Sequence, residues 1–188
     1  MRGRVLVGVS CVVMAAGCGD SNSTQQPQRS TGPVTTAKAP APASTPLPRS
    51  AKCPRTPGGR PAKDVAIALG DGPAYPVLGM EVAPPAPGGV VPLFSNERRG
   101  GVYQHKTLWA VSPDAPGDLV VRGVSLRTGA PLRFLIDKEK VDHLNLTDPD
   151  GEWGYRVTET LLPGPGCYAF QVSGEGVNDQ IVFSAALT

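Results

Sequence analysis

Gly166-Cys167-Tyr168-Ala169-Phe170-Gln171-Val172, followed beyond Gly174-Glu175-Gly176 by Ile181-Val182-Phe183, is the stretch that decides the fold. Successive side chains of a strand point to opposite faces, so Tyr168, Phe170 and Val172 share one face. Ile181 and Phe183 repeat the pattern across the glycine-containing turn, which reads as a β-hairpin with one buried side. Cys167 has the opposite parity and follows Pro163-Gly164-Pro165-Gly166 directly. That places it at a strand mouth rather than in the centre of a core.

The same punctuation extends upstream. Short apolar runs at Val65–Leu69, Tyr75–Leu78, Val90–Phe94, Tyr103–Val111, Leu119–Leu126, Leu132–Ile136 and Trp153–Leu161 are separated by Gly, Pro, Asn and Asp. No long segment carries a helical apolar period. Many short strands with turn signals between them predict an all-β sandwich or barrel. Val65, Ile67 and Leu69 are expected on one face, as are Leu132, Phe134 and Ile136 with Arg133 opposite. Gly123 is read as a bulge that turns Leu119, Val121, Val124 and Leu126 inward and leaves Arg122 outside. The closing stretch from Pro165 to Phe183 also resembles the last hairpin of immunoglobulin-like domains in uncharacterised bacterial lipoproteins. That resemblance covers about thirty residues and implies an immunoglobulin-like β-sandwich, without an activity.

The N-terminus carries a different signal. Met1-Arg2-Gly3-Arg4 is a basic head, and Val5 to Ala16 is apolar or small apart from Gly8 and Ser10. The run is shorter than the ~20 residues a membrane span needs. Basic head, brief apolar middle and small-residue exit describe a secretory signal peptide over residues 1–17. Ala15-Ala16-Gly17-Cys18 resembles the lipobox of bacterial lipoproteins, with Ala15 where leucine is usual. The resemblance implies cleavage before Cys18 and a diacylglyceryl group on its sulfur, with palmitate-type chains. One acyl chain binds a membrane marginally, and two or more hold a protein there.

Of four cysteines, Cys11 then leaves with the signal and Cys18 carries lipid. Cys53 and Cys167 remain, and an even remainder in an exported chain predicts a structural disulfide. Residues 18–52 hold no aromatic side chain and are rich in Ser, Thr, Pro, Gln and Ala. Such a segment buries too little apolar surface to offset its ordering entropy, so it is expected to be a disordered linker. As a flexible coil it spans ~30–35 Å. Residues 53–188 form the β-sandwich domain, with twelve basic and fifteen acidic side chains. That balance argues against a nucleic-acid partner, which requires a basic face.

Candidate chemistry is sparse. His105 and His143 are the two histidines, and Asp142 adjoins His143. A Ser-His-Asp hydrolase would want one of them, yet no Gly-x-Ser-x-Gly elbow occurs. His105, between Gln104 and Lys106, reads as part of a solvated strand entry. Asp148, Asp150 and Glu152 are weak candidates for Ca²⁺ ligands, and Asp148-Pro149-Asp150-Gly151 is also an ordinary turn sequence. Trp109 and Trp153 could stack on a sugar but sit in apolar-patterned runs, which favours core packing. Arg98-Arg99-Gly100-Gly101 reads as an exposed turn.

The expectation is a monomeric lipoprotein held through Cys18 at the extracytoplasmic face of a cell membrane. It displays a non-enzymatic binding or structural sandwich that meets an envelope protein or glycan and calls for no cofactor. The alternative is an envelope hydrolase or metal-dependent enzyme using strand-end loops around His105 or His143.

Overall fold

A computed structural model describes residues 46–48, 52–79, 90–147 and 150–188. The signal, Cys18, most of the linker and Asp148 lie outside the described residues. The protein is all-β, as expected; among the described residues the helical content is one 3₁₀ turn, Ser95–Glu97. The strands, in chain order, begin with β1 (Gly58–Gly59), β2 (Ala68–Leu69), β3 (Ala74–Val77) and β4 (Val90–Leu93). Then come β5 (Arg98–Arg99), β6 (Val102–Val111), β7 (Leu119–Ser125), β8 (Arg133–Ile136) and β9 (Glu139–Val141). The last are β10 (Leu144–Leu146), β11 (Gly154–Leu162), β12 (Gly166–Gly174) and β13 (Val177–Leu187).

Two sheets face each other. One runs β10-β7-β12-β13-β4, and the other β3-β6-β11-β8-β9 with β5 added on β6. All pairings in them are antiparallel except β4 on β13, which is parallel. The expected hairpin is β12–β13, with Tyr168 opposite Phe183 and Phe170 opposite Ile181. Those side chains point inward and meet Trp109 and Phe134 of the facing sheet and Leu132, the residue before β8. Trp109 is edge-on to Phe170 at 4.9 Å, and Phe183 stacks on Phe170 at 4.7 Å. Full burial of such side chains stabilises by ~1.5–3 kcal/mol each. Where β11 turns into β12, the Tyr168 hydroxyl donates to the Gly164 carbonyl at 2.6 Å and pins the corner.

Several local expectations are corrected. Gly123 makes no bulge: β7 pairs with β12 in unbroken register, Gly123 opposite Phe170 and Arg122 opposite Gln171. The glycine is needed for clearance, because a Cβ there would come 2.8 Å from Leu132 Cβ. Regular alternation then turns Val124 outward, and Leu126 joins a second apolar cluster instead of the main core. Likewise Val65 and Leu69 are buried while Ile67 is 39% exposed, because β2 is only two residues long and no alternation is sustained.

The second cluster lies on the outer side of the β12-containing sheet. Cys167, Ala169 and Val182 show their outward side chains there, and Leu47, Cys53 and Val124 pack on them. Cys53 and Cys167 form the disulfide, with a Cα–Cα distance of 5.5 Å. Residues 46–48, assigned to the linker by composition, lie against the sandwich: Leu47 N–H donates to the Leu126 carbonyl and Arg127 Nη1 donates to Pro48 O. Beyond the disulfide, Thr56 N–H donates to Val182 O at 2.9 Å, and Val182 N–H returns a bond to Thr56 Oγ1 at 2.8 Å. The described parts of this N-terminal strap thus touch the segment just after β7, then β12 and β13.

Candidate functional site

The two histidines occupy unlike places. On β6, Tyr103, Thr107 and Trp109 point inward, and His105 shares their parity. It is therefore no solvated entry. Gln104 and Lys106 are the solvent-facing residues, and they mask the alternation around it. Its Nε2 is buried, and no hydrogen-bond partner for it is found among the described residues. Desolvation of the imidazolium lowers its pKa to about 4. His105 is thus neutral near pH 7 and has no carboxylate or serine hydrogen-bonded to that nitrogen. Further along the same face, Thr107 and Thr160 hydroxyls bond each other at 3.0 Å and Trp109 Nε1 donates to Thr158 Oγ1 at 3.3 Å. His143 is half-buried in the short connection between β9 and β10. The neighbouring Asp142 carboxylate is engaged by Arg133 in a surface ion pair.

The pKa of His105 has a consequence for stability. Above pH 6.5 the imidazole is neutral in both folded and unfolded chains and contributes no pH dependence. Between pH 6.5 and about 4 the unfolded chain takes up a proton that the folded one refuses, so stability falls as pH falls through that window. The loss is at most about 3 kcal/mol. Urea titrations of the parent and of His105→Leu at pH 7 and pH 4 are expected to show a smaller acid loss in the variant. Equal losses would mean that the imidazole is solvated.

The acidic turn does not assemble a site from what is described. Asp150 and Gly151 take positive φ, 53° and 84°, as a tight turn requires. Asp150 and Glu152 are exposed, and no group of three metal-type side chains converges among the described residues.

What sequence reasoning passed over is the outer face of the β6/β11 sheet. Antiparallel register puts Tyr155 across from Ala110 and Ala110 across from Tyr75, so both tyrosines stand on that face. Trp153 precedes β11 and is half-buried; its ring lies 5.8 Å from that of Tyr75. This corrects its expected place in the core, since the strand starts one residue after it. The Tyr75 hydroxyl donates to Asp71 O at 3.1 Å. Burial, then the negative charges of Asp71 and Asp114, raise its pKa and keep the phenol protonated.

Two residues along β11 from Tyr155 comes Val157, and two further Glu159, which lies between Lys106 of β6 and Leu135 of β8. Around them opens a concavity of about 770 Å³, whose walls include Arg99, Gln104, Lys106, Lys138 and Glu159. Two tight turns build its rim. Gly100 and Gly101, with φ of 57° and 87°, connect β5 to β6. Asp137 and Lys138, with φ of 50° and 72°, connect β8 to β9. Consecutive positive φ is the geometry of the two-residue hairpin loops whose twist matches the strands. The Arg-Arg-Gly-Gly sequence is therefore a hairpin that presents Arg99 to the concavity, while Arg98 lies over the Tyr103 ring at 5.9 Å.

Fold and site together define a disulfide-clasped all-β sandwich with a mixed polar and aromatic outer sheet. No family model matches the chain, and no curated protein is similar to it. Among solved structures, one described as a "Putative Lipoprotein from Bacillus anthracis" aligns over 73% of this chain and 88% of its own. The identity is 14% and the TM-score 0.47. A likeness that loose in shape says nothing about chemistry.

Proposed function

We propose that this protein is an extracytoplasmic lipoprotein: exported by residues 1–17, acylated on Cys18, and carrying an immunoglobulin-like sandwich that binds envelope ligands without catalysis. The observation that carries the reading is the Cys53–Cys167 disulfide. Disulfides persist in oxidising compartments outside the cytoplasm, and this one accounts for the two cysteines left after export and acylation. The immunoglobulin-like part rests on strand order. β3-β6-β11-β8 and β7-β12-β13 follow the two-sheet arrangement of such domains. The bond from Tyr168 to Gly164 at the β11–β12 corner has the form of their tyrosine corner. The order departs from the constant-type domain in two places: β4 adds in parallel on β13, and after β8 the chain makes β9 and returns to the β7-containing sheet as β10 before β11. A non-enzymatic role is supported by His105, whose inward direction and low pKa suit a packed residue better than a general base.

Cys18→Ser is expected to move the protein from the membrane fraction to the soluble fraction. Intact mass of the parent is expected to show an N-terminus at Cys18 with fatty acyl mass. A mature chain starting elsewhere, or lacking that mass, removes the lipoprotein reading.

A further inference from the structure

We infer that the outer face of the β6/β11 sheet binds an oligosaccharide bearing an acidic group, with a sugar ring on Tyr155 and the acidic substituent at the concavity. This deepens the proposed binding role. Where the ligand is met depends on export, but whether it binds does not.

Tyr155 is 53% and Val157 48% exposed on a strand whose inward residues, Thr158 and Thr160, are almost wholly buried. Aromatic rings at a surface offer a flat apolar area with little rotamer entropy to lose, which suits the C–H face of a pyranose. Tyr75 and Trp153 extend the aromatic area beside it.

Sugar hydroxyls both donate and accept, so their site needs both kinds of group. The concavity has them within one strand spacing: the Lys106 ammonium and Gln104 amide on β6, and the Glu159 carboxylate opposite on β11. An anionic lipid surface would gain nothing from a carboxylate at the centre, and a flat bilayer does not fill a concavity.

The domain as a whole has more acidic than basic side chains. Yet this concavity is lined by Arg99, Lys106 and Lys138 against Asp137 and Glu159. Asp71 and Asp114 lie at the opposite, Tyr75 end. The ligand is therefore oriented: neutral rings over the aromatics, acidic group toward Lys106. Tyr155 and Glu159 are four residues apart, about 13 Å along a strand, which matches a chain of two to three sugar rings.

The test uses the purified full chain with two tetrasaccharides, glucuronic acid on xylotriose and neutral xylotetraose, with phosphatidylglycerol vesicles as a third probe. The acidic sugar is expected to bind about tenfold more tightly than the neutral one. Tyr155→Ala should weaken both sugars about tenfold, whereas Lys106→Gln should abolish the preference by weakening the acidic sugar about tenfold more than xylotetraose. Both side chains are exposed, so melting should be unchanged. The inference is overturned if neither sugar binds, if both variants bind like the parent, or if only the vesicles bind. None of those results bears on Cys18 acylation, which the mass measurement reads separately.

Discussion

Cys53→Ser with Cys167→Ser is expected to melt about 10–15 °C below the parent, the shift that ~3–4 kcal/mol produces in a domain of this size. The two cysteines are 114 residues apart, so the bond ties the start of the folded body to its penultimate strand. A cross-link over so long a loop removes ~4–5 kcal/mol of unfolded-chain entropy in the simplest account, and measured losses run somewhat lower. The native-state contribution is local. Cys167 is 1% exposed, and Leu47, Leu126, Ala169 and Val182 surround the bond. Two serines there would leave hydroxyls in an apolar cluster, at a further cost. Differential scanning calorimetry with and without reductant reads the effect. Reductant should lower the parent toward the variant and leave the variant unmoved. A variant that melts with the parent would show that the bond does not form.

Phe170→Ala is expected to cost about 3–5 kcal/mol, enough to leave a domain of ordinary stability marginal. Phe170 is fully buried, edge-on to Trp109, stacked on Phe183, and 6.2 Å from the Phe134 ring of the facing sheet. Truncation opens a void between the sheets that rigid neighbours cannot fill. The near-ultraviolet dichroism of Trp109 should weaken along with the lowered urea midpoint. Phe170→Leu, which keeps most of the volume, should cost a third of that or less. If the alanine variant loses less than about 1 kcal/mol, within the range of a surface change, the core is not centred on this ring.

The central hairpin was legible because its pattern is strong and local. Tyr168, Phe170 and Val172 alternate without interruption, and the parity of Cys167 placed it away from the core centre and at the strand mouth, where the disulfide lies. Gly123 shows the opposite case. A glycine inside a strand means either a bulge or a close approach, and the choice depended on Leu132, nine residues on and outside β7. His105 was hidden by polar neighbours, although Tyr103, Thr107 and Trp109 share its parity and carried the signal. Leu47 is a lone leucine among prolines, serines and threonines. Only the apolar patch formed by Leu126, Cys167 and Val182, distant in sequence, gives it somewhere to pack. The β6/β11 outer face was unreadable for the same reason. Arg99, Lys106, Lys138 and Glu159 come from four segments that only strand pairing brings together.

The route of the N-terminal strap also determines how the body answers a pull applied at its N-terminal end. Tension applied there meets the covalent link to β12, a strand hydrogen-bonded on both sides, before it reaches the Thr56 bonds at β13. Force therefore enters the middle of a sheet and must shear two ladders at once, instead of unzipping strands one by one from an edge.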